Sequence, residues 1–94
     1  MFRIPFEYSV APERRAEFEA SYGPDGQWAR LFRSDDACVD LTLERTGDGE
    51  YLVTDQWRSR DRYERFLERN AERYEELSGA NARLYVSERR LRPT

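Results

Sequence analysis

Tyr51-Leu52-Val53-Thr54-Asp55-Gln56-Trp57-Arg58-Ser59, read with Tyr63 and Phe66 just beyond it, is the stretch that decides the fold. Its first seven residues alternate: Tyr51, Val53, Asp55 and Trp57 share one side of an extended chain, and Leu52, Thr54 and Gln56 the other. Both sides hold apolar residues, so both faces of this strand are expected to be covered. After Ser59 the period changes from 2 to 3.6. Tyr63, Phe66, Leu67, Asn70, Ala71, Tyr74 and Leu77 form the stripe of one long amphipathic helix, with Ser59 as its N-cap and Gly79 as its stop after Ser78. A strand that ends on a Trp therefore feeds straight into a helix. A Trp, a Tyr and a Phe gather at that corner, with Asp55 on the same strand face. Such a corner is either plain core or the wall of an aromatic pocket holding one acid.

Working outward, Thr46-Gly47-Asp48-Gly49 is a hairpin turn joining this strand to a preceding one, in which Val39, Leu41 and Leu43 alternate with Cys38, Asp40, Thr42 and Glu44. At the start of the chain Phe2, Ile4, Phe6, Tyr8 and Val10 alternate with Arg3, Pro5, Glu7 and Ser9, giving a further half-buried strand. Pro5 lacks an N–H, so that strand is locally an edge or bulged there. Pro12 opens a helix with Phe18 and Tyr22 on its inner side. Gly23-Pro24-Asp25-Gly26 breaks it, and Gln27 to Phe32 reads as a short second helix with Trp28, Leu31 and Phe32 inward. Ala82, Leu84 and Val86 alternate in a predicted fourth strand ending at Ser87, and Arg89 to Thr94 is a polar tail free to reach over a partner. The order β–α–(α)–β–β–α–β predicts a single α+β domain over residues 1–94: a ferredoxin-like split βαβ with a four-stranded antiparallel sheet.

Composition narrows the function. A chain of 94 residues has a thin core, and with 14% aromatic residues some of that aromatic surface is expected to be covered by a second copy, in a homodimer. The net charge of −3 arises from 19 acids and 16 bases, all of the bases Arg, with no basic stripe; nucleic acid is not an expected partner. No signal peptide or membrane span is visible, and the single cysteine, Cys38, allows no internal disulfide, so a reducing cytoplasm is expected. Cys38 reads as a small buried hydrophobe. The chain contains no histidine, which excludes His-based triads, His metal sites and a His haem ligand; acid–base chemistry falls to Asp, Glu, Tyr, Cys or Arg.

Two segments resemble a known family. Tyr22-Gly23-Pro24-Asp25-Gly26-Gln27-Trp28-Ala29-Arg30-Leu31-Phe32 looks like a recurrent segment of antibiotic biosynthesis monooxygenase domains, and Tyr51 to Ser59 with Tyr63-Glu64-Arg65-Phe66 is similar to their strand-to-helix segment. The resemblance implies a dimeric α+β barrel with a pocket in each protomer between sheet and helices. It also implies oxidation of polycyclic phenols to quinones by molecular oxygen without metal, haem or flavin. The enzymes of that family set a strand Trp and a helix Tyr in the pocket, and Trp57 and Tyr63 reproduce the spacing. Those enzymes carry an Asn four residues before the Trp; here the position is Val53.

On this reading Asp55, Trp57 and Tyr63 are the candidate catalytic residues. Asp55 is the base that removes a phenolic proton, or else a carboxylate paired with Arg58, Arg60 or Arg62. Trp57 is a stacking wall or a core anchor, and Tyr63 a donor or a core tyrosine. Asn70 interrupts the apolar helix stripe and is either a second donor or a structural amide. Trp28, Phe32, Tyr51, Val53, Phe66 and Tyr74 are the further candidates for lining a small aromatic ligand. Two functions compete: a cofactor-free oxygenase, and a non-catalytic dimeric ligand-binding or polyketide-cyclising domain using the same pocket.

Overall fold

The hairpin at the centre of the chain is the most local piece of the sheet. β2 (Cys38–Gly47) and β3 (Glu50–Trp57) run antiparallel and close through Asp48 and Gly49. Gly49 adopts φ +74, and a Cβ there would meet the carbonyl oxygen of Val10 at 2.7 Å, so glycine is required by both conformation and space. The computed structural model describes residues 1–94.

β1 (Phe2–Ser9) lies antiparallel beside β3, with Ile4 opposite Asp55, Phe6 opposite Val53 and Tyr8 opposite Tyr51. β4 (Ser87–Arg90) pairs with the other edge of β1, giving the order β2-β3-β1-β4, the antiparallel sheet of a ferredoxin-like fold. The helices cover one face of this sheet. α1 (Arg15–Tyr22) follows a 3-10 turn at Pro12–Arg14; α2 (Gln27–Arg33) follows the tight Gly23–Gly26 turn. At Gly26 a Cβ would lie 2.2 Å from the carbonyl oxygen of Ser21, so only glycine lets the chain double back there. No helix is long and apolar enough to cross a membrane.

The alternation of β3 is realised in full. Tyr51, Val53, Asp55 and Trp57 are buried under the helices, while Leu52, Thr54 and Gln56 are half-buried on the opposite face. Beneath the helices the aromatic side chains form two clusters. Trp57 packs against Phe32, Tyr63 and Phe66, with ring centroids 5.0, 5.1 and 4.9 Å away, and Phe2 adds to this group through Tyr63. At the other end Tyr8, Phe18, Tyr22, Tyr51 and Tyr85 pack together, with Phe18 stacked on Tyr22 at 4.3 Å.

Five sequence-based expectations are corrected. The long helix is two: α3 (Arg60–Arg69) and α4 (Ala71–Asn81), broken at Asn70 with φ −120 and ψ 20. The backbone N–H and the side-chain amide of Asn70 both donate to the Phe66 carbonyl, at 3.0 and 3.1 Å, the local competition by which Asn ends helices. The helix runs past Gly79, because Asn81 ties it down: its amide donates to Leu77 O at 2.8 Å, and Ser21 donates to its Oδ1 at 2.6 Å. The fourth strand is shifted. Ala82–Leu84 is a 3-10 turn that buries Leu84, Val86 is 74% exposed, and strand pairing starts only at Ser87. The tail is not free either: Leu91 N–H donates to Pro5 O, and Arg3 and Thr94 exchange both backbone hydrogen bonds. Pro5 therefore presents its donorless nitrogen just beyond the last β1–β4 pair, Phe6 with Arg90. In β2 a bulge between Cys38 and Asp40 turns Val39 out, 42% exposed, and leaves Cys38 half-buried.

Candidate functional site

Between the two aromatic clusters the packing is incomplete. A cavity of about 220 Å³ lies between the sheet and α2 and α4. β1 supplies Phe6 and Tyr8, β3 supplies Val53 and Asp55, and β2 supplies Leu41; Tyr22, Trp28 and Phe32 come from α1 and α2, Tyr74 and Ser78 from α4, and Glu88 from β4.

Asp55 is the one acid on the inner face of β3. It is 5% exposed, lines the cavity, and makes no hydrogen bond or ion pair with the protein. The arginines that follow it in sequence are committed elsewhere: Arg58 Nε donates to Asp36 O at 2.7 Å, Arg60 pairs with Glu64 and Arg62 with Asp36. Burial pushes the Asp55 carboxyl up to about 8, against a small opposing pull from Arg90. A buried acid without a partner costs stability, and it faces the only kind of space in which a ligand could supply one.

The tyrosines around the cavity are pushed the other way from use as bases. Burial raises Tyr8, Tyr22 and Tyr74 well above the ordinary phenol range, so each stays a neutral hydroxyl donor. Tyr8 spends its proton on Glu88, donating to Oε2 at 2.6 Å. Burial also raises the Cys38 thiol to about 11, which keeps it protonated and unreactive.

Five of the residues singled out from sequence meet at the cavity: Asp55, Trp28, Phe32, Val53 and Tyr74. Trp57, Tyr63 and Phe66 lie in the adjoining cluster instead, Trp57 and Phe66 with no exposure at all and the Trp57 indole N–H without a partner. Trp57 reaches the cavity only through Phe32, which it packs edge-on. Tyr51 sits in the second cluster and donates to the Glu19 carboxylate. Asn70 is at the helix break, outside the lining. Phe6, Tyr8, Tyr22, Leu41, Ser78 and Glu88 complete the lining and were not among the candidates. The first three were legible as inward positions of β1 and α1; Glu88 was hidden by the misplaced fourth strand.

The family profile described as antibiotic biosynthesis monooxygenase matches residues 1–76. The chain belongs to that family. The matched span ends within α4, so β4 and Glu88 lie beyond it. Solved structures agree on the architecture. A candidate antibiotic biosynthesis monooxygenase from Deinococcus radiodurans superposes with a TM-score of 0.78 at 15% identity, covering 100% of this chain and 90% of its own. SnoaB, a cofactor-independent oxygenase from Streptomyces nogalater, gives 0.73 at 21% identity, covering 99% and 89%. At these identities the likeness establishes the fold that the monooxygenase family shares. A comparison with curated proteins finds no match.

Proposed function

We propose that the chain is a cofactor-independent monooxygenase that oxidises a small phenol with molecular oxygen, with Asp55 as its base. The observation that carries this is the unpartnered Asp55 carboxyl at the wall of an otherwise aromatic cavity. A base titrating near 8 is matched to removing the proton of a phenol at neutral to mildly alkaline pH.

The ionised Asp55 takes the phenolic proton, and the phenolate then donates one electron to oxygen. The phenoxyl radical and superoxide combine at a ring carbon, and the resulting peroxide takes the proton back from Asp55. Asp55 next removes the hydrogen of that ring carbon while the O–O bond breaks. The departing hydroxide collects this proton as water. One phenol and one oxygen molecule give one quinone and one water, and Asp55 ends as it began. Tyr22 and Tyr74, neutral donors in the lining, are suited to hold the developing oxyanion, the part expected of Tyr63 and Asn70, which are not among the lining residues. Trp28 and Phe32 offer ring faces for stacking, and Trp57 holds Phe32 in place.

A homodimer fits this reading. Members of the family are typically dimeric, and the sheet face bearing Leu52, Thr54 and Gln56 carries no helix.

The second reading, a binding or polyketide-cyclising domain without oxygen chemistry, is favoured by one residue. Val53 lines the cavity with a side chain that can neither donate nor accept where the family's enzymes carry an amide. Oxygen consumption with a panel of naphthols and anthrone-type phenols separates the two. Uptake that depends on the protein and disappears in Asp55→Asn supports oxidation; binding without uptake for every phenol in the panel leaves the binding domain.

A further inference from the structure

The cavity has a second carboxyl, and it stands at the opposite end from the first. Asp55 is level with Ile4 on β1 and Glu88 with Tyr8, four positions further along the strand, about 13 Å at ordinary strand rise. Asp55 is buried, whereas Glu88 belongs to an exposed edge strand, and the exposed Ser78 also lines the cavity. One acid marks the floor and the other the mouth. Tyr8 and Tyr74 line the cavity in the field of both acids. The Tyr8 hydroxyl donates to Oε2 of Glu88 and Tyr85 lies within reach of the same carboxylate, whose remaining lone pairs can accept a hydrogen bond from whatever fills the cavity.

Size sets the other limit. At interior packing density, ~0.75, a cavity of about 220 Å³ holds roughly 165 Å³ of ligand, on the order of a dozen non-hydrogen atoms. That is two fused rings with a substituent at each end. A third ring would project from the mouth and carry a far hydroxyl past Glu88.

Resting on the proposed oxidation of a phenol at Asp55, we propose that the ligand is a two-ring aromatic bearing a proton-donating group at each end, and that Glu88, oriented by Tyr8, is the specificity-determining residue for the far group. The near hydroxyl meets Asp55, the ring system lies along Trp28 and Phe32, and the far hydroxyl donates to Glu88 at the mouth.

The test is calorimetric binding under nitrogen, where no turnover occurs, with 2-naphthol, 2,6-dihydroxynaphthalene, 6-methoxy-2-naphthol and 2,6-dihydroxyanthracene as probes. The wild type is expected to bind the dihydroxynaphthalene at least about tenfold more tightly than its methoxy analogue, because a hydrogen bond to a charged acceptor is lost on methylation. Glu88→Leu is expected to erase that preference, the dihydroxy and methoxy probes then binding within about twofold of each other. The anthracene is expected to bind at least about tenfold more weakly than the naphthalene. Glu88→Gln, which keeps the shape, is expected to fall between wild type and Glu88→Leu. Equal affinity for the dihydroxy and methoxy probes overturns the proposal. So does an equal loss for all probes in Glu88→Leu, which would mark a structural role, and so does the absence of binding by every probe. The outcome is distinguishable from that of the oxidation reading. Glu88-dependent binding without oxygen uptake in air sinks the oxidation and leaves the specificity assignment. Uptake without Glu88 discrimination does the reverse.

Discussion

Replacing Asp55 by Asn should make the protein more stable, and by an amount that grows with pH. In the folded chain Asp55 holds its proton up to about pH 8, whereas unfolded it releases it near the ordinary 3.8. Between those values unfolding releases a proton, so raising the pH favours the unfolded chain. The contribution is whole below about pH 3.8 and is lost by about pH 8. At about 1.4 kcal/mol per pH unit the cost is on the order of 1–2 kcal/mol at pH 5, 4 at pH 7 and 5–6 above pH 8. Against a total stability of about 5–15 kcal/mol this is a large fraction. The Asn amide keeps the shape without the charge and removes the pH-dependent part. Urea unfolding followed by tryptophan emission at pH 5, 7 and 8.5 measures it, and taking the difference between the two proteins cancels every group they share. With a slope of about 1–3 kcal/mol/M, the midpoint of Asp55→Asn at pH 7 should exceed that of wild type by about 1–4 M. A difference that stays constant across the three pH values, or an Asn variant less stable than wild type at pH 7, would refute the reasoning, since either means that Asp55 is ionised and paired in the fold.

Three more outcomes can be checked. Oxygen uptake per unit substrate at low concentration should climb between pH 6 and pH 8 and level off above, because the base must be ionised; a profile flat through that range would show that Asp55 is not the group that titrates. Phe66→Ala, at a position with no solvent exposure beside Trp57 and Phe32, should cost about 3–5 kcal/mol in chemical denaturation, and a loss under about 1 kcal/mol would mean that the cluster repacks. Gly26→Ala drives a Cβ into two backbone carbonyls and should cost about 1–3 kcal/mol or more, with α2 and Trp28 displaced; thermal melts and near-UV circular dichroism report both, and an unchanged melt would contradict the close approach.

Much of this arrangement could be read from residue order, and what could not has identifiable causes. The strict alternation from Tyr51 to Trp57 settles which side of β3 is inside, and the Asp48-Gly49 turn settles its partner. Alternation names a face, however, and says nothing of where along that face the packing fails. Trp57 and Asp55 are both inward, two residues apart, yet one is enclosed by Phe32, Tyr63 and Phe66 while the other borders the void. That difference is made by how α2 and the helices on either side of Asn70 are laid across the sheet, which is a matter of tertiary packing. The stripe from Tyr63 to Leu77 has clean helical spacing through Asn70, and only the doubled hydrogen bond to Phe66 O ends the helix there. The alternation of Ala82, Leu84 and Val86 mimics a strand, but burying Leu84 in a 3-10 turn and pairing Ser87–Arg90 with β1 satisfies more of the chain. That shift concealed Glu88, since a residue left between the strand and the tail has no face.

The long reach of β4 back to β1 has a consequence for how the protein is made. Tyr8 and Glu88 are separated by 80 positions, and β1 lies inside the finished sheet between β3 and β4. During synthesis the β2–β3 hairpin and the helices can assemble early, since their contacts are local. The second edge of β1, with Phe6 and Tyr8 on its inner face, must wait unpaired until nearly the whole domain has left the ribosome. A chain stalled before Ser87 would carry an open apolar strand edge and an unclosed cavity, the form most prone to pair with another copy of itself.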